Sequence, residues 1–260
     1  MNSSENEPPP AEEVVESSQV SRMFNIYAVP SESFDALRNR PTDTGNWLLP
    51  AILLMVVGWI GSFLILSRAD IMAPIRQAQE QAIQSRVDAG KMSAEQAEIA
   101  RVANEKWAPV ISRVAAVFVP VLQAFAIPFW WGLLLWLFGG KLLKGGFRYM
   151  KAVEIAGLSS MILVLESVTK TLLVLVTGNI MAGPGLIMLI LKEFDPKNLG
   201  HALLASVQVT TLWVLAVRAI GISRLGAGGL GRCAALVFGF WIVWTAFWAL
   251  VGHLLAGLAP

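Results

Sequence analysis

Five long apolar runs separated by shorter polar stretches set the pattern of this chain, at about residues 47–66, 110–138, 153–176, 199–222 and 233–255. A helix of about 20 residues rises roughly 30 Å, the thickness of a bilayer's hydrocarbon core. Each run therefore predicts a membrane-spanning helix, and the fold class is an all-α bundle of five transmembrane helices. The one sizeable hydrophilic insert, 67–107, falls between the first and second runs. Ile71, Ile75, Ala78 and Ala82 recur there at helical spacing, and Asp88-Ala89-Gly90-Lys91 breaks the pattern. Ser93 with Gln96 then forms a capping box for a second helix running to about Lys106. An extramembrane helical hairpin is the expectation for the insert, a solvated lid on the bundle rather than a ligand-binding domain.

The runs differ in detail. Trp47 and Pro50 open the first, and Gly58 and Gly61 within it suit close helix packing. The second carries Pro120 and Pro128, which predict a kink or a backbone break. Between the third and fourth, Ile180–Leu191 is apolar but too short to cross and is interrupted by Gly183-Pro184-Gly185. That stretch predicts a re-entrant or interfacial segment. Gly226–Gly231 reads as a turn into the last span.

Ahead of the first run, Met1–Val20 is acidic and rich in proline and serine, the composition of a disordered tail. It has no basic n-region and no apolar h-region, so the first span is expected to serve as the targeting signal. From Met23 the chain turns amphipathic. Ser31 is placed to cap a helix, Glu32 and Asp35 fall in its first turn, and Phe34 and Leu37 share a face. A short helix lying in the membrane interface is expected, within an interfacial N-terminal segment that includes Phe24, Tyr27, Pro30, Phe34, Trp47 and Pro50.

Composition agrees with the membrane reading. Hydrophobic residues make up 55% of the chain and charged residues 15%, with a mean hydropathy of +0.61. A soluble domain usually has about 45–50% apolar and about 25% charged residues. The net charge of +2 does not point to a nucleic-acid partner, and the single cysteine, Cys233, excludes an internal disulfide. Lys141, Lys144, Arg148 and Lys151 crowd the loop between the second and third runs. Such density beside span ends favours a cytoplasmic N-terminus and, with five spans, a C-terminus outside. The lipid bilayer is the expected partner, with other membrane proteins or a second copy of the chain beside it.

Candidate chemistry is sparse. No HExxH, GxSxG, P-loop or dinucleotide fingerprint is present, and His201 and His253 lack ligand spacing, so neither a cofactor nor a metal is expected. Ser159 and Ser160 lie inside the third run and suit helix packing better than nucleophilic catalysis. The third run alone carries an acid and a base one turn apart, Glu166 and Lys170, which share a helix face. Ionisable groups at such depth mark a transport path or a buried pair that fixes packing. Glu154 and Gln208 are accessory polar candidates, and Arg113 and Arg218 lie near span ends. Glu154 is placed to pair with Arg148 or Lys151.

The order of features in the N-terminal half is more specific than any of these. Phe24-x-x-Tyr27-x-x-Pro30-Ser31-Glu32-Ser33-Phe34, then Arg40-Pro41, then Trp47-x-x-Pro50, resembles the start of the prokaryotic Yip-domain (Ypt-interacting-protein) family. The hairpin insert and the Gly139-Gly140-Lys141 loop leading to Phe147 are similar to that family too. The resemblance implies a five-helix integral membrane domain with a cytoplasmic N-terminus and no catalytic site. The Asp-Leu-Tyr-Gly-Pro signature of the eukaryotic members is absent, so GTPase binding does not carry over. The expectation is a non-enzymatic inner-membrane protein that organises or scaffolds, with a small transporter, channel or lipid-moving protein using Glu166 and Lys170 as the alternative.

Overall fold

A computed structural model describes residues 18–195 and 198–258, and among them there is no strand; the helices are joined by turns and, after residue 177, by a longer irregular stretch that holds one short 3-10 turn, Leu186–Leu189. Five helical stretches are long and apolar enough to cross a membrane. Two short helices come first, α1 (Gln19–Ala28) and α2 (Pro30–Arg38). The first of these candidate spans is α3 (Gly45–Leu66). The insert holds α4 (Ala69–Asp88) and the beginning of α5 (Ala94–Leu135), which also forms the second span. The third is α6 (Tyr149–Ser159) and α7 (Met161–Thr177), separated by Ser160 alone. After α8 (Leu199–Ser206), the fourth is α9 (Val209–Ile222) and the fifth α10 (Leu230–Leu258).

Several expectations change. The first helix is capped by the Ser18 hydroxyl and starts at Gln19, so the acidic tail ends earlier than Val20; residues 1–17 lie outside the described residues. Helix α2 starts at Pro30 rather than after Ser31, since proline's fixed φ suits a first helical position. The prolines of the second span do not break it. Helix α5 runs unbroken through Pro109, Pro120 and Pro128 for 42 residues, and widens into a π-type turn only at Trp136–Leu142. The capping box is present, with Ser93 accepting from the Gln96 N–H and the Gln96 side chain accepting from the Ser93 N–H. The fourth run, read as one helix over 199–222, is split. Val207 and Gln208 are extended, and Leu186 N–H and Val209 N–H bond the carbonyls of Val207 and Pro184. These bonds with the Gly183-Pro184-Gly185 segment use backbone groups that a continuous helix would need.

The chain folds back on itself so that one end of the bundle gathers the starts of α3, α6 and α10 with the ends of α5 and α9. Tyr149 there donates to the Phe129 carbonyl, and Gly145 N–H bonds the Gly139 carbonyl. Small residues let the helices meet closely. A Cβ on Gly58 would come within 2.9 Å of Pro120, and one on Gly61 would collide with Thr171. At the other end α4 lies antiparallel to the start of α5, tied by Arg101 to Glu80 and Gln84 and by Asn104 to Gln79. Of its apolar stripe only Ile71 is buried.

Helices α1 and α2 do not float. Ile26, Phe34 and Leu37 are buried in the main core, and Tyr27 donates to the Met161 carbonyl at 2.6 Å. The Phe34 ring fits beside Gly221, where a Cβ would stand 3.2 Å from it. The face expected to rest in lipid is therefore turned into the bundle, and of that segment Phe24 stays exposed.

Candidate functional site

The densest polar cluster lies where α1, α3 and α6 converge. Lys151 and Glu154 are one helical turn apart on α6, and the ammonium contacts the carboxylate at 2.7 Å. Lys151 also donates to the Pro41 carbonyl at 3.1 Å, and the other Glu154 oxygen accepts from the backbone N–H of Asp43. The pair thus holds both ends of the turn that leads into α3. Arg22 of α1 completes the arrangement, with Nε on the Asn46 side chain and Nη2 on the Asp43 carboxylate, each at 3.2 Å. Gln19 donates to the same Asp43 oxygen at 2.6 Å, and Gly45 N–H to the other at 2.9 Å. Arg22, Asn46, Lys151 and Glu154 are all buried.

Such charges at a helix end can be kept only because each has a partner. The Asp43 carboxyl is held below the usual carboxylate range, chiefly by the Gln19 hydrogen bond, with the Gly45 N–H and the charges of Arg22 and Lys151 adding to it. Beside the cluster opens a cleft of about 520 Å³ lined by Arg22, Arg40, Asp43, Asn46 and Lys151.

A second buried cation lies deeper. The Arg218 guanidinium of α9 stands 4.2 Å from the Trp131 ring centre and donates from Nε to the Ser159 hydroxyl at 3.2 Å. Its Nη2 is buried with no hydrogen-bond partner among the described residues. Ser159 and Ser160 both donate to the Ala156 carbonyl, and among the described residues no histidine or carboxylate is bonded to either.

Glu166 and Lys170 do not come together. Lys170 is exposed, and Glu166 is half-buried with Oε2 enclosed and unbonded among the described residues. Spacing of four puts two side chains on one face but does not force contact, and no ion pair forms between these. Glu154, expected as an accessory, is instead the centre of the cluster, and its partner is Lys151 rather than Arg148. Gln208 lies at the break before α9 with its side-chain oxygen enclosed and unbonded among the described residues. Arg113 is exposed. Trp47 packs edge-on against Phe129 at 4.9 Å, and Pro50 is buried inside α3. Among the described residues no group of histidines, cysteines or acids could hold a metal.

Asp43, Arg22 and Asn46 escaped sequence reasoning. Their signal was weak, a lone arginine in an amphipathic segment and an acid just ahead of a span. Comparisons with protein-family models, curated proteins and solved structures found no match for this chain.

Proposed function

We propose that this chain is a multi-pass protein of the bacterial inner membrane, similar to the prokaryotic Yip-domain type, which organises or scaffolds membrane components and catalyses no reaction. Its N-terminus is cytoplasmic, its C-terminus lies outside, and α4 with the start of α5 stands clear of the lipid. The observation that carries this reading is what the buried charges are bonded to. Lys151 and Glu154 hold the turn before α3, and Arg218 holds Trp131 and Ser159. The outward faces of the spans carry large apolar side chains, including Phe63, Phe118, Val176, Val243 and Trp248. Lysine and arginine density at the end shared by α2 and residues 139–148 supports the orientation.

Photo-crosslinking from Phe118 and Val243 in native membranes tests it. A scaffold gives a discrete crosslinked partner, either another membrane protein or a second copy of this chain. Crosslinks to lipid alone would contradict it.

The transport reading keeps one observation in its favour. Enclosed oxygens of Glu166, Gln208 and Thr210, on α7 and at the start of α9, have no hydrogen-bond partner among the described residues. Proton or lipid flux in proteoliposomes, abolished by Glu166→Gln with the fold intact, would select transport over scaffolding.

A further inference from the structure

We propose that the cleft beside Lys151 binds a phosphate group, either on an anionic phospholipid headgroup or free in solution. At about 520 Å³ the cleft is of the size ordinarily filled by small ligands. Among the described residues, its walls bring three cations, Arg22, Arg40 and Lys151, and one carboxylate, Asp43.

Two of the cations are fixed in advance. Asn46 and Asp43 orient the Arg22 guanidinium, and Glu154 and the Pro41 carbonyl orient the Lys151 ammonium. An ammonium has three protons to donate, and Lys151 spends two on these acceptors. The Arg40 side chain has no acceptor among the described residues, although it lines the same cleft. A guanidinium fork presents paired donors at the spacing of two phosphate oxygens. Exposed Thr42 and Thr44 add hydroxyls to the lining.

Position fits the ligand as well. The cleft lies level with the starts of α3 and α6, which is headgroup depth if those helices span. The loop carrying Lys141, Lys144 and Arg148 lies at the same end and draws anionic lipid toward it. The site rests on the chain crossing a membrane and not on the scaffolding role.

The test uses purified, delipidated full-length protein and follows its thermal midpoint. The probes are micelles containing phosphatidylglycerol or phosphatidylcholine and, separately, inorganic phosphate against chloride at equal ionic strength. Phosphatidylglycerol is expected to raise the midpoint more than phosphatidylcholine. Arg40→Gln, which breaks none of the observed bonds, should keep the ligand-free midpoint and weaken the apparent affinity about fivefold. Arg76→Gln, at the opposite end, should leave the affinity unchanged. If inorganic phosphate reproduces the shift with the same dependence on Arg40, the occupant is free phosphate. Equal responses to both lipids without a phosphate response, or an equal loss from Arg76→Gln and Arg40→Gln, would overturn the site. A protein that stays dispersed without detergent would instead fail the membrane reading on which the site rests.

Discussion

Lys151 and Glu154 meet at 2.7 Å inside the fold, and the carboxylate also takes a backbone N–H from Asp43, 111 residues earlier in the chain. The pair is therefore a local contact on α6 with a long-range consequence. It fixes the turn that aims the first span.

Removing one member should cost far more than removing both. Lys151→Met leaves a buried carboxylate with no counter-charge, and a stability loss of about 3 kcal/mol is expected. The double variant Lys151→Met with Glu154→Leu should recover most of that loss, keeping a deficit for the unbonded Asp43 N–H. Thermal midpoints of wild type, Lys151→Met, Glu154→Leu and the double variant in one detergent check this. Additive losses would mean that the two side chains do not act as a pair.

Arg218 poses the opposite case. Its charge is buried against Trp131 and Ser159 without a carboxylate partner among the described residues. Arg218→Met keeps the length of the side chain and removes the buried charge, so stability should hold or rise. Trp131→Ala leaves the cation without its ring and opens a cavity, and should cost about 3 kcal/mol or more. The same midpoint assay separates them. A greater loss from Arg218→Met than from Trp131→Ala would contradict the assignment.

Asp43 sets a pH window. Its folded pKa lies below the ordinary value, so the folded protein binds this proton less readily than the unfolded chain. The stabilisation from its ionised form is complete above the ordinary carboxylate range, about pH 4, and is lost as pH falls through the lowered folded value. Asp43→Asn should therefore melt below wild type at pH 7, and the gap should shrink as pH falls below the ordinary carboxylate range and through the lowered folded value. A gap that persists in acid would assign the effect to something other than this charge.

The spans were legible because uninterrupted apolar length is a direct physical requirement of a bilayer. The capping box at Ser93 was legible because both of its bonds lie within one turn. The break at Val207–Gln208 was not, since hydropathy averages over the run and the competing bonds come from Pro184 and Leu186. The candidate site was half legible. Spacing on α6 marks Lys151 and Glu154 as a pair, but Asp43 and Arg22 reach them only through the fold. Spacing alone also made Glu166 and Lys170 look coupled, and packing decided otherwise. Phe34 and Leu37 share a face as expected, yet nothing local distinguishes a lipid surface from the groove that Gly221 leaves open.

The most direct measurement is labelling of single cysteines by a membrane-impermeant maleimide in sealed, right-side-out vesicles. Cys233 is buried, so the native background should be silent. Lys91→Cys, in the turn between α4 and α5, should label at once, and Glu32→Cys on α2 only after the vesicles are opened. Both sites labelling from one side would contradict the account.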